Sequence, residues 1–293
     1  MLAQDLCRPA ARVPLDALAD HWRLARLEAC IPGHGVLARN FVLMNRIRGA
    51  FGRRLMEGAS REALAGQPCP WRPPCTLDVL FREQARVGKH GLPKPFTLSL
   101  DRHGRDLLVR LALLGFAMDW AAAAAQALVA ALRHDIDWRG HADGNFLPRP
   151  EVESFAIAEA GIPGLAREAT VLRFVTPLDA SGDDPLDRPA TIIGRLARRV
   201  DLMSRWMGVE VDADWPLLAR LWNGLDYHSA GLRRAAGLPR RSGRNGNSFS
   251  QALVEGELSI AGPLDPIRPI LVVGQSCHAG RGATHGLGRY VLE

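Results

Sequence analysis

The sequence predicts an α+β protein built from two similar halves. Three observations point there. Stretches in which apolar and polar residues alternate read as strands, and stretches with apolar residues every three or four positions read as helices. The order strand, helix, strand, strand, helix, strand fits the first half, and the second half is a variation on it. Each half is about 150 residues long, within the usual size of one domain. Two units with this split β-α-β order define tandem ferredoxin-like (RRM-like) domains. The first is expected over residues 1–165, with helical insertions. The second is expected over residues 166–293 and carries a C-terminal glycine-rich loop, with the boundary near Ile162–Glu168.

The elements follow in order. "HWRLARLEACI" (His21–Ile31) alternates and reads as a strand, and "PGHGVLARN" after it as a loop. "FVLMNRIRGAFGRRLMEGASREALAG" has helical spacing and is decorated by Arg46, Arg48, Arg53 and Arg54. "GQPCPWRPPC" is a proline-rich break before "TLDVLF". "FTLSLDRHGRDLLVRLALLG" has a turn signal at its centre and reads as a hairpin. Asp119–Asp135 is an alanine-rich helix, and "FAIAEAGI" a further strand. In the second half, "ATVLRFVTPL" (Ala169–Leu178) is a strand ending at proline. "ATIIGRLARRVDLMSRWMG" and "DWPLLARLWNGLDY" are amphipathic helices. "RRSGRNGNSFSQALVEGELSIAG" reads as a loop plus a strand, "LDPIRPILVVGQS" as a short helix, and "RYVLE" as a last strand after the glycine loop.

Hydrophobic residues make up 47% of the chain, which suffices for a real core and excludes general disorder. The formal net charge is +6, and Lys89 and Lys94 are the only lysines among 37 basic residues. A GC-rich genome alone produces such a bias, but an arginine-rich surface attracts polyanions whatever its origin. The five cysteines are odd in number and no secretory signal pattern opens the sequence, so a reducing cytoplasm is expected. The most apolar run is broken by Arg110, Gly115 and Asp119, which argues for a strand and a helix and against a membrane span.

The closing run "GQSCHAGRGATHGLGRY" (Gly274–Tyr290) fits neither a dinucleotide fingerprint, since no helix follows its glycines, nor a Walker A loop, since it has no lysine. A loop held before a strand-like end suits backbone contacts to RNA phosphates, with the glycines allowing close approach. Cys69 and Cys75 are spaced as half a zinc site, with His90 as a conceivable third ligand, but two thiols are the preferred reading and no metal or cofactor is expected. No serine-hydrolase elbow and no H-E-x-x-H motif occurs. Arginine, histidine and glycine on a two-domain sheet scaffold suit metal-independent RNA cleavage. In that reaction the substrate's own 2′-hydroxyl attacks the adjacent phosphate, and the protein orients it, takes a proton and stabilises charge. His34 is the first candidate for proton transfer, because its loop also carries Arg39 and leads into the arginine-studded helix.

These residues resemble a known family. "GLPRRSGRNGNSFSQALVEGELSIAGPLDPIRPILVVGQSCHAGRGATHGLGRYVLE" is similar to the C-terminal part of CRISPR repeat-processing endoribonucleases of the repeat-associated mysterious protein superfamily. The matching positions are Gly237, Arg240, Arg241, Ser242, Arg244, Gly256, the loop from His278 to Gly286, and the ending Gly286–Tyr290. "LRFVTPL" (Leu172–Leu178) resembles the opening strand of that family's second domain, and "NRIRGAFGRRL" (Asn45–Leu55) the start of its first helix. "CPWRPPCTLDVLF" resembles, in degenerate form, the cysteine-bearing segment before "LF". The resemblance implies two ferredoxin-like domains and a precursor CRISPR RNA cut at the base of its repeat stem-loop. It implies a 5′-hydroxyl and a 2′,3′-cyclic phosphate as products. It also implies a protein that stays on the mature guide RNA beside other CRISPR effector-complex subunits; the broken apolar runs give no expectation of a membrane partner. The arginine-rich, histidine-poor helix makes the version found in type IV systems a candidate.

The family often places a histidine base in or just before the first helix. Here "NRIRGAFGRRL" has none, and His34 lies eleven residues before Asn45. The catalytic candidates are therefore His34, Arg23, Arg39 and Arg46. RNA contacts are expected from Arg48, Arg53, Arg54, Arg240, Arg241, Arg244, His278, Gly280, Arg281, Gly282, His285, Gly286 and Gly288. A non-catalytic RNA-binding subunit with the same fold is the competing expectation. A small-molecule enzyme on the same type of sheet is a third.

Overall fold

A computed structural model describes residues 2–138, 154–160, 171–182, 184–241 and 248–293. The chain opens with a short helix, Leu2–Cys7, then strand β1 (Ala11–Pro14) and a helical turn, Leu18–His21. The first large sheet begins at β2 (Leu24–Ile31), is crossed by α1 (Phe41–Glu57), and returns in the hairpin β3 (Phe96–His103) and β4 (Asp106–Leu114). Helix α2 (Ala121–His134) and strand β5 (Ser154–Ala160) complete it. The strand order is β3-β4-β2-β5, with every neighbouring pair antiparallel.

The sequence makes these elements for simple reasons. In β2 the side chains of Leu27, Ala29 and Ile31 are buried while Arg26 and Glu28 alternate with them, the period of a strand with one face on the core. In α1, Leu43, Met44, Ile47, Ala50, Phe51 and Leu55 are buried at three- and four-residue steps. The Asn40 side chain accepts from the Leu43 N–H at 2.9 Å and caps the first turn. Gly52 lets α1 approach Phe81, whose ring a β-carbon there would meet at 3.0 Å.

The second half repeats the order. Strand β6 (Val171–Asp179) leads to α3 (Ala190–Ser204), then to β7 (Val209–Asp212), α4 (Trp215–Asn223) and β8 (Asp226–His228). A long hairpin, β9 (Leu232–Arg241) and β10 (Ser248–Ala261), is followed by α5 (Arg268–Cys277) and β11 (Tyr290–Leu292). The sheet order is β8-β10-β6-β11, with β9 also on β10. The terminal strand pairs with β6, Tyr290 opposite Phe174 and Leu292 opposite Leu172.

Three features differ from the sequence expectation or add to it. The stretch expected as a loop plus one strand is preceded by a second strand, β9. Its alternation is hidden by an irregularity between Ala235 and Leu238, and by Gly237 and Pro239. "TLDVLF" forms a short helix, Thr76–Phe81. The N-terminal segment packs on the second half. There β1 pairs in parallel with β7, and Trp22 Nε1 donates to Ser276 Oγ at 2.7 Å. The expected boundary at residues 162–168 lies outside the described residues. One continuous apolar core runs through both halves. The helical stretch Gly115–His134 is long and apolar enough to cross a membrane by length and composition alone. In this fold it buries Ala124, Leu128, Ala131 and Leu132.

Candidate nucleic-acid interface

The glycine-rich run is a packed connector between the halves. Ala279 N–H donates to Gly288 O at 2.7 Å, Gly288 N–H to Pro177 O at 2.8 Å, and Arg289 N–H to Thr176 Oγ1 at 2.9 Å. Between these anchors a single helical turn, Ala283–His285, leans on α1 and β3. Two contacts fasten it to α1. His285 Nδ1 meets Asn45 Oδ1 at 2.6 Å, and Arg48 Nε donates to Thr284 Oγ1 at 3.3 Å. A third tie comes from Arg289, whose Nη1 donates to Asp101 Oδ1 at 2.5 Å. Asp101 is held from its other side by Arg110 at 2.6 Å. Burial works to raise the Asp101 carboxyl, but Arg289 and Arg110 outweigh it and hold the group below its usual range.

This geometry revises the reading of the glycines. A β-carbon at Gly286 would overlap Met44 of α1, and one at Gly288 would overlap the Ala279 carbonyl. The close approach these residues permit is therefore to the protein's own chain. His278 is buried, with Nδ1 donating to Leu287 O at 3.2 Å. Burial, then the nearby Arg289 and Arg199, push its pKa down to about 3, so it is a neutral internal histidine and not an exposed RNA contact. Arg281 is exposed, and Gly280, Gly282 and His285 are half-buried.

The predicted catalytic set is not gathered in one place. Arg23 and His34 stand at opposite ends of β2, an eight-residue strand and so roughly 26 Å long. Arg23 lines a depression with Phe116, Asp119 and Met207. His34 is 2% exposed, its Nδ1 2.6 Å from Pro32 O and its ring edge-on to Trp138 at 5.6 Å. Its Nε2 has no hydrogen-bond partner among the described residues. A ring so enclosed cannot reach a substrate hydroxyl in this structure, which corrects the expectation that it leads the site.

Arg39 and Arg46 are exposed near the start of α1, Arg39 with the left-handed φ of 68° that few non-glycine residues adopt. Arg48 lies in the same part of the helix, 5.1 Å from the Phe81 ring centre. Arg53 and Arg54 belong to the other end, about 13 Å along the axis from Asn45. Arg54 is occupied there, with both Asp135 oxygens at 2.6 Å and Glu57 at 2.9 Å, so it serves as a helix clasp and not as an RNA contact. The backbones of Arg240 and Arg241 pair with Phe249 and Ser248, and Arg244 lies outside the described residues.

Four residues that the sequence reading did not single out complete the site: Asn45, Thr284, Arg289 and Asp101. Asn45 opens the quoted helix motif, yet nothing local announces a partner 240 residues away. Cys69 and Cys75 are neighbours, with Cys75 N–H on Cys69 Sγ at 3.3 Å. Among the described residues no three His, Cys, Asp or Glu side chains gather as a metal site.

Two sheets of matching order, joined by a loop that docks on a basic helix, define an α+β scaffold suited to a polyanion. The comparisons with known proteins are more specific. Residues 172–290 match the family "CRISPR-associated endoribonuclease Cas6". A Cas6 product complex is similar in fold, with a TM-score of 0.52 at 18% identity, over 92% of this chain and 99% of that one. A Cas6 substrate-mimic complex gives 0.51 at 17%, with the same coverages. A Thermus thermophilus Cas6 in a product complex gives 0.50 at 16%, over 93% and 99%. No curated protein sequence matches the chain. The family match is to residues 172–290, in the second half, and the likeness in fold to the Cas6 structures runs over nearly the whole chain.

Proposed function

We propose that this protein binds the stem-loop of a CRISPR repeat and cuts the precursor RNA without a metal ion. The 2′-hydroxyl attacks the neighbouring phosphate in line, giving a 2′,3′-cyclic phosphate and a 5′-hydroxyl. The two sheets act as tandem ferredoxin-like domains, and the product guide RNA stays bound within a CRISPR effector complex. The observation that carries this reading is the docking of the family-matched loop on α1 through His285–Asn45 and Thr284–Arg48. It brings the His285 ring to α1 beside Arg48, with Arg46 on the same helix and Arg281 in the same loop. Arg39, Arg46 and Arg281 hold phosphates there, and their planar forks suit phosphate oxygens. A-form stems are met mainly through shape and phosphates, so arginines without a base code serve this substrate.

Incubation of the purified protein with a repeat hairpin in EDTA tests the proposal. A single cut with a cyclic phosphate end is expected, and cleavage that appears only when a divalent metal is added back overturns the metal-free chemistry. Binding without any cut, in EDTA or with metal, instead supports the non-catalytic subunit reading, which the histidine-free helix α1 favours.

A further inference from the structure

We infer that His285, carried by the second half, is the proton-transfer residue that α1 itself lacks. The inference rests on the proposed ribonuclease function and names the base for it. His34 and His278 are buried, whereas His285 is half-buried. Its partner fixes its chemistry. An amide oxygen only accepts hydrogen bonds, so the 2.6 Å contact to Asn45 Oδ1 requires Nδ1 to carry the proton. In the neutral ring Nε2 then keeps its lone pair and is the basic nitrogen.

The backbone holds this ring in place. Gly282 and Gly286 bound the turn with φ of 80° and 74°, a left-handed conformation that side chains disfavour. Gly282 O accepts from both His285 N–H at 2.7 Å and Leu287 N–H at 3.1 Å. Such fixation is what general-base catalysis needs, because the rate depends on the approach geometry of hydroxyl and base. Among the described residues, the two elements that meet here carry Arg46 and Arg48 on the first turns of α1 and Arg281 in the loop, and Asp101 of β3 is occupied by Arg289 and Arg110. Among these described groups the surplus is cationic, which suits a phosphate.

The step balances without a cofactor. Nε2 takes the proton of the 2′-hydroxyl as O2′ bonds to phosphorus. The bond from phosphorus to the 5′-oxygen breaks, and that oxygen takes a proton from solvent water. Asn45 is a positioning residue that orients the ring.

The test compares wild type and His285→Ala on one repeat hairpin in EDTA, measuring binding and single-turnover cleavage, with and without added imidazole. The expected result is cleavage slowed by about 10²-fold or more, binding within about threefold, and partial recovery with imidazole. Should His285→Ala fail to fold, His285→Gln, which keeps a donor for Asn45, is measured in the same way. Unimpaired cleavage, or a loss that imidazole does not restore, overturns the assignment while wild-type cleavage still upholds the proposed function. If the wild type itself does not cleave, both fall together.

Discussion

His278 and His285 stand seven residues apart in one loop, yet burial gives them different physics. His278 is enclosed, and its pKa falls to about 3 through burial and the nearby arginines, whereas an exposed histidine titrates near 6.5. Its folded value lies below its unfolded one, so its contribution to stability is full above pH 6.5. Below that the unfolded chain binds a proton that the folded one refuses, and stability falls as pH drops from 6.5 toward 3. The expected loss between pH 6.5 and 4.5 is roughly 2 kcal/mol. His278→Gln, which keeps a donor for Leu287 O, should flatten that part of the profile. Urea titrations of both proteins at several pH values measure the difference, and parallel profiles would show that His278 is not the source.

At the level of elements, the loop from Ala279 to Arg289 behaves as a structural part in its own right. Its left-handed glycines and its backbone bonds to Pro177 and Thr176 fix its path before any ligand arrives. Gly286→Ala combines an unfavourable φ with an overlap on Met44 and should destabilise the protein by about 3 kcal/mol. A lower urea midpoint with an unchanged slope would confirm this, and a change below about 1 kcal/mol would mean the loop relaxes freely. Strong periodicity made α1, α2, α3 and β2 legible in the sequence. Strand β9 was not, because its irregularity and its glycine and proline break the alternation that identifies strands. The four-residue strands β1 and β7 are too short to carry a pattern, and only their mutual pairing makes them strands.

The molecule as a whole departs from two beads on a string. Strand β1, the Trp22–Ser276 bond and the Arg289–Asp101 pair all cross between the halves, as does Trp206 Nε1 to Pro93 O at 3.0 Å. With one continuous core, calorimetry should show a single cooperative unfolding transition. Two resolved transitions would mean that these ties are too weak to couple the halves. The same ties decide where the candidate site lies, since a residue on α1 and a residue on the terminal loop meet only while the halves are docked.

The sequence by itself determined the alternation of strands and helices, the twofold repetition of their order, and a resemblance densest over the last sixty or so residues. Those are local or periodic properties, written in spacing and in glycine and arginine positions. Only the tertiary structure decided which of these residues share a site. It enclosed His34 and His278, clasped Arg54 to Asp135, set Arg23 a strand's length away, and brought His285 to Asn45. Burial and contacts between distant segments depend on how the two halves dock, and no local pattern of residues encodes that.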